Sequence, residues 1–487
     1  MIKSVTILGG GTSGLVTALI LKKWYVNLDV TIIESSTVGI VGVGEGSTEH
    51  WSGFTRAVGI ELKELIRETR ATFKTGIKFE NWNGDGKFYM HALHSNYTDL
   101  IPNGMPAVMV NMMCEGVEHL TTDGVINSKH FMPLHTTVNQ FHFDTFKLNE
   151  FLHKKCIERG VNIIDKDVTD IVLDDQGFVS ALVDTNNEKH YSDFFVDCSG
   201  FAKLISSKLG AKWINCAEHL PMNSAIAFPT KRLENIPSHT LSRALSSGWN
   251  WRIPTQDRFG NGYVFNDEFL TEGQAIDEIQ QYYDDPIEVG RSFKFSAGYT
   301  DKFWIKNCVA LGLAGSFVEP LEASSIGTSL QQAFALASAI PNWSKGNELI
   351  AKQYNIHFED VAKNIIDFVQ LHYITKRDDS EFWRSCKNIK LTDFNKETLE
   401  HFKKSVPNRA FFTKPFLMFT EQNWMQVMYG LKLFDMDALR TIWGAMDPLL
   451  IQESNQMIER AAEFQKINMG FSHREALAYL TSENFNG

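Results

Sequence analysis

Val5-Thr6-Ile7-Leu8-Gly9-Gly10-Gly11-Thr12-Ser13-Gly14-Leu15 is the stretch that decides the fold. Residues 2–8 are rich in β-branched side chains and alternate weakly, which reads as a strand. From Leu15 to Trp24 apolar residues recur at helical spacing. Val30-Thr31-Ile32-Ile33 reads as a second strand and ends in Glu34, twenty positions beyond Gly14. A bare G-x-G-x-x-G is a weak signal; here a strand precedes it, a helix follows, and an acid closes the unit. Gly9 permits the tight turn, Gly11 lets backbone approach a pyrophosphate, and Gly14 lets helix and strand pack closely. Thr12 and Ser13 complete the fingerprint as cofactor contacts, and the N-terminus of the helix that follows offers free N–H groups and a positive dipole end to the phosphates. Glu34 is the expected acceptor for the ribose hydroxyls. The fold class that follows is α/β.

Further along, residues 69–92 read as strands around an Asn83-Gly84-Asp85-Gly86 turn, and Val161–Ile164 and Val168–Val183 as more strands. Phe194-Phe195-Val196-Asp197-Cys198-Ser199-Gly200 is a buried strand running into a glycine turn. Val309-Ala310-Leu311-Gly312 repeats that logic and leads to a helix from about Gly327 to Ile340. From roughly residue 346 the chain reads as mainly helical. The expected organisation is therefore a dinucleotide-binding domain over 1–345, with substrate-region inserts at about 90–140 and 205–295. A mainly helical covering region occupies 346–487.

The bulk numbers exclude several classes. With 487 residues, two or more structural units are expected. A net charge of −11 and a pI near 5.8 argue against binding nucleic acid or an anionic membrane through bulk charge. The six cysteines stand singly, with no C-x-x-C pair, so neither a zinc ribbon nor a redox dithiol is expected, and no metal site. The opening apolar run is too short for a signal peptide and no stretch is long enough to span a bilayer, so the expectation is a soluble cytoplasmic protein.

Asp197-Cys198-Ser199-Gly200 and Gly312-Leu313-Ala314-Gly315-Ser316 resemble the later segments of FAD-dependent aromatic hydroxylases, which favours FAD over NAD. Four more segments sharpen the match. Gly248-Trp249-Asn250-Trp251-Arg252-Ile253-Pro254 resembles the W-x-W-x-I-P signature of flavin-dependent tryptophan halogenases. Gly42-Val43-Gly44-Glu45-Gly46-Ser47-Thr48 resembles that family's G-V-G-E segment. Phe73-Lys74 through Asn81-Trp82 resembles the segment with its catalytic lysine, and Phe317 through Ile326 the segment with its catalytic glutamate and halide site. Weaker echoes are Arg258 with Gly260-Asn261-Gly262-Tyr263, Arg377-Asp378-Asp379 with Phe382-Trp383, and Trp424-Met425-Gln426-Val427.

The resemblance implies an FAD-binding fold of the glutathione-reductase and aromatic-hydroxylase type with an added, mainly helical, substrate-capping region. It implies an FADH2-dependent halogenase: a separate reductase supplies FADH2, O2 is consumed, halide becomes hypohalous acid, and the halogen is placed on a small electron-rich aromatic substrate. Lys74 is then the amine that meets the oxidant and Glu322 the acid that accepts a proton; their rivals are Lys78 and Glu319. In a strand Lys78 would point to the same side as Lys74. Gly42, Gly44, Glu45, Asp197, Gly200, Gly312 and Gly315 join the fingerprint glycines as flavin contacts. Ser324, Ser325 and Ile326 form the halide cradle, and Trp249 and Trp251 wall the flavin from the substrate. The loop Glu322-Ala323-Ser324-Ser325-Ile326-Gly327 departs from the Glu-Ser-Thr-Gly of the tryptophan-specific members and resembles a subgroup with broader or unknown substrates, which puts free tryptophan in doubt; a phage-encoded member is suspected on the resemblance as a whole. Two other functions share the scaffold: an FAD-dependent aromatic monooxygenase, and a flavin-binding protein without halogenating activity.

Overall fold

A computed structural model describes residues 2–40, 45–92, 105–116, 139–467 and 472–482. The chain forms two compact units, each assembled from three segments. The first comprises Met1–Arg70, Phe143–Cys216 and Ser296–Lys363; the second comprises Ala71–His142, Ala217–Phe295 and Asn364–Gly487.

The first unit is built on a six-stranded sheet in the order Trp304–Ile305, Cys308–Ala310, Phe194–Asp197, Ser4–Leu8, Asp29–Glu34, Asn162–Asp165. All neighbours pair in parallel except the edge strand Trp304–Ile305, which is antiparallel. Parallel sheets need cover on both faces, so their strands carry continuous apolar runs. Val5, Ile7, Ile32, Phe194, Phe195 and Val196 are accordingly buried. The helix Thr12–Trp24 buries eight consecutive residues, Gly14 through Leu21, as a helix that is apolar nearly all round must. The helix expected from about Gly327 begins earlier, at Ser324, and ends at Ala339. Ala323 breaks the chain there in the left-handed region, at φ 53°, so Ser324, Ser325 and Ile326 form the first helical turn instead of a loop before it.

The second unit carries a seven-stranded sheet in the order Arg291–Lys294, Ser224–Lys231, Arg258–Phe265, Gly248–Pro254, His239–Ala244, Gly76–Glu80, Phe88–Ala92. Only His239–Ala244 and Gly76–Glu80 run parallel. Its later part is helical, with Glu381–Cys386, Asp393–Lys404, Glu421–Gly430, Met436–Gly444, Pro448–Ile467 and His473–Thr481. The Arg377 echo has a packing role. Its guanidinium makes two bonds to Asp379, donates to the Asn81 carbonyl at 2.9 Å and lies 4.6 Å over the Trp383 ring. Trp383 in turn donates to the Leu245 carbonyl at 2.7 Å, and Trp82 to that of Ser242 at 3.1 Å. Among the described residues, no helix is long and apolar enough to cross a membrane.

Candidate active site

In the first unit three glycine segments leave the C-terminal ends of three adjacent parallel strands: Gly9 after Ser4–Leu8, Gly200 after Phe194–Asp197, Gly312 and Gly315 after Cys308–Ala310. This edge is where open α/β sheets bind their ligands. Gly9 adopts φ 119°, and a Cβ there would lie 2.2 Å from the Cys198 carbonyl oxygen. A Cβ on Gly14 would lie 2.0 Å from the Gly9 oxygen. Both positions are closed by the fold itself. Gly11 is different: a Cβ there meets nothing within 4 Å. Gly11 is also the N-cap of Thr12–Trp24, and no side chain caps that end. Unclaimed first-turn amides beside open space fit a pyrophosphate.

Glu34 ends its strand in this unit, with Oε1 3.1 Å from Nε2 of His153. A Cβ on Gly10 would fall 1.7 Å from the other carboxylate oxygen, so Gly10 must be glycine for Glu34 to sit there. Asn149 donates to the Gly10 carbonyl at 2.8 Å. Ser13 hydrogen-bonds Ser329 at 2.8 Å. Asp197 is fully buried, and its carboxylate accepts from the amides and hydroxyls of Ser199 and Ser206. It therefore shapes the Ser199-Gly200 turn. Glu45 lies in the short strand Glu45–Gly46, where burial pushes its carboxyl up to about 7. Gly42 and Gly44 lie outside the described residues. Glu319 and Glu322 are both buried, at 1% and 4% exposure, so burial does not choose between them. Glu322 closes the single turn Pro320–Glu322 just before Ser324. Burial pushes the thiols of Cys198 and Cys308 well up, which keeps them protonated and unreactive.

In the second unit Lys74 and Lys78 separate cleanly. They do not share a strand, because the run breaks between Thr72–Phe73 and Gly76–Glu80. The Lys74 amide donates to the Gln140 carbonyl at 3.0 Å, and the Thr75 amide to that of Ser238 at 2.8 Å. The backbone thus changes partner strands at Lys74, and the alternation that would align the two side chains is lost. Lys74 is 1% exposed. Lys78 is partly exposed, 3.6 Å from a Glu80 oxygen and 4.3 Å over the Phe88 ring. Trp249 and Trp251 are buried on the central strand Gly248–Pro254, with ring centroids 6.2 Å apart. Gly262 on the neighbouring strand makes room for the second indole, since a Cβ there would lie 2.0 Å from the Trp251 ring. Asn250, facing the other way, donates to the Gly262 carbonyl at 2.7 Å.

The family model described as tryptophan halogenase matches residues 4–443. The chain belongs to the tryptophan halogenase family. It is an enzyme, a flavin-dependent halogenase and so an oxidoreductase. It is 31% identical to a tryptophan 6-halogenase of Streptomyces albogriseolus over 440 residues, 83% of each chain. It is 28% identical to a tryptophan 7-halogenase of Lentzea aerocolonigenes over 443 residues, 84% of this chain and 83% of the relative. A flavin-dependent halogenase from Xanthomonas campestris superposes with TM-score 0.83 at 28% identity, covering 96% of this chain and 98% of that one. A tryptophan halogenase from Shewanella frigidimarina shares the fold at TM-score 0.89 and 24% identity, covering 99% and 98%.

Within this halogenase the sequence reading missed the supporting residues. Asn149 and His153 around Glu34 carry no motif, because they reach the fingerprint from a helix, Thr145–Glu158, far along the chain. The same holds for His142, His239 and His473, which gather near Lys74 in the second unit. The Thr72 hydroxyl donates to the Pro254 carbonyl at 2.6 Å, so towards His142 Nδ1 at 3.2 Å it acts as acceptor. His142 Nε2 lies 2.9 Å from the Thr240 hydroxyl. In a neutral ring protonated at Nδ1, Nε2 accepts from that hydroxyl. Burial first, and then the charge of Lys74 and the nearby His473 and His239, hold the His142 pKa well below the usual imidazole range.

Proposed function

We propose that this halogenase uses reduced FAD and O2 to convert halide into hypohalous acid, and that it transfers the halogen to an electron-rich indole or phenol. Bound flavin would supply the oxidising chemistry; Gly9, Gly11, Thr12, Ser13, Gly14, Glu34, Gly200, Gly312 and Gly315 would hold it. Lys74 would hydrogen-bond or capture the oxidant through its amine. Glu322 would accept the proton lost from the arene, general-base work typically worth about 10² to 10⁴ in rate. Ser324, Ser325 and Ile326 would offer first-turn amides to halide, and Trp249 and Trp251 would keep substrate from the flavin, preventing direct oxygen transfer.

The observation that carries this reading is the burial of Lys74 at 1% exposure while Lys78 lies partly exposed over Phe88. Lysines are mostly solvated surface residues, and burying one costs free energy, so Lys74 is set apart from the ordinary surface lysine that Lys78 resembles. A separate flavin reductase is the expected partner, since the chain has no second complete G-x-G-x-x-G for NAD(P)H. The altered loop after Glu322 favours an arene other than free tryptophan.

The test is a panel of indoles, phenols and anilines with FAD, a generic reductase and each halide, read by isotope pattern. A halogenated arene is expected, with bromide or iodide used at least as well as chloride. Hydroxylated product without halide would instead identify a monooxygenase, and unchanged arene a flavin-binding protein. Rapid NADH oxidation by the purified chain alone would remove the need for a reductase.

A further inference from the structure

We propose that His473, at the start of the last described helix, is a positioning residue for Lys74, acting as a neutral hydrogen-bond acceptor for the peptide group just before it. This rests on the reading of Lys74 as the amine that meets the oxidant.

The backbone of residues 72–76 has no continuous strand to hold it, because it changes partners at Lys74. Each flanking residue is held from elsewhere in the second unit. The Phe73 amide donates to Nε2 of His473 at 2.9 Å, across 400 residues of sequence. The two rings stack with centroids 5.7 Å apart and planes 24° apart. On the other side of Lys74, the Thr75 amide donates to the Ser238 carbonyl at 2.8 Å and its hydroxyl to the same oxygen at 3.0 Å. His473 closes the loop: its Nδ1 lies 3.3 Å from the Pro237 carbonyl, next to Ser238. Lys74 is therefore clamped between two attachments to one short segment.

The chemistry admits one form of the ring. Nε2 accepts, so it carries no proton; Nδ1 carries it and faces a carbonyl. His473 is 1% exposed, and its helix is anchored by a capping box in which Ser472 and Glu475 bond reciprocally. Without His473 the Phe73 amide would be buried and unsatisfied, which favours a shift of the backbone that carries Lys74. Misplacing a catalytic group by about 1 Å can cost about 10²-fold.

The experiment measures brominated indole formed per FADH2 oxidised, with a soluble scavenger reporting escaped hypobromous acid, for the full chain supplied with reductase. His473→Phe keeps the ring stack and removes the acceptor; it should lower coupling at least about tenfold and send oxidant to the scavenger. His473→Gln restores an acceptor where Nε2 stood and should recover coupling to within about threefold, while His473→Asn, too short to reach Phe73, should not. In a double-mutant cycle, His473→Phe should cost nothing further on a Lys74→Ala background. Wild-type coupling in His473→Phe, no rescue by His473→Gln, or full additivity with Lys74→Ala would overturn the proposal. Should Lys74→Ala itself keep wild-type coupling, the reading of Lys74 fails, whatever the His473 variants do.

Discussion

The proposed flavin cradle of the first unit and the lysine neighbourhood of the second are made from different materials. The cradle is backbone: Gly9, Gly11 and Gly14 shape it by lacking side chains, and the helix after them offers its amides. The lysine neighbourhood is side chain: His142, Thr240 and His473 arrive from three separate stretches to hold Thr72 and Phe73. A site made of backbone writes itself into local sequence as glycine spacing. A site made of buried side chains is assembled only by the fold. The two also differ in sign as charges are added. Burial raises the carboxyl of Glu45 to about 7, whereas it lowers His142 well below the usual imidazole range and His473 to about 4.

The comparison can be broken most severely at Gly11. Gly11→Trp should abolish FAD binding in a titration, and even Gly11→Ala should weaken it. Yet the thermal stability of apo Gly11→Ala should stay within about 0.5 kcal/mol of wild type, because nothing in the protein meets the new Cβ. Equal affinity in Gly11→Trp would remove the phosphate-site assignment.

Next in size is the acid response of the second unit. His473 is depressed from 6.5 to about 4 by burial. A base with a depressed folded-state pKa contributes fully above its unfolded value, and that contribution is lost as pH falls from 6.5 through 4. The loss is about 3 kcal/mol by linkage. Chemical denaturation from pH 7 to 4 should therefore show a shallower fall for His473→Gln than for wild type; parallel profiles would contradict the buried neutral ring. Glu45 runs the other way: its stability contribution is present below 4.5 and lost as pH rises through about 7, so Glu45→Gln should gain stability relative to wild type across that window.

A closed glycine contrasts with the open one. Gly14→Ala places a Cβ 2.0 Å from the Gly9 oxygen and should destabilise the apoprotein by about 1–3 kcal/mol, measured by denaturant titration. Stability equal to wild type would mean helix and strand are not packed as described. The smallest effect belongs to Lys78, whose ion pair is partly exposed. Lys78→Ala should change halogenation by no more than about twofold, since such pairs are worth little; a severe loss would exchange the roles of the two lysines.

These contrasts explain what could be read in advance. The strand–glycine–helix–strand unit of residues 4–34 was legible because period and turn chemistry are local signals. Trp249 and Trp251 were legible as one strand face, but Gly262, which makes room for the second indole, is paired with it only across the sheet. The start of the helix at Ser324 was misjudged by three residues because Ala323 takes a left-handed conformation that its side chain does not announce. The break at Lys74 escaped for a similar reason: the run from Thr72 to Glu80 has strand-like composition, and only the partners Gln140 and Ser238 force the change of register. Nothing near Lys74 in sequence points to a histidine 399 positions away.

On the proposed function, the first unit captures the cofactor while Lys74 in the second governs delivery of the halogen. Its most direct test is one paired measurement on Lys74→Ala: FAD affinity by titration, and bromoarene yield by mass spectrometry with reductase and bromide supplied. Wild-type FAD affinity is expected, with bromoarene reduced at least about 10²-fold. Wild-type bromoarene yield, or a loss of FAD binding that matches the loss of product, would contradict it.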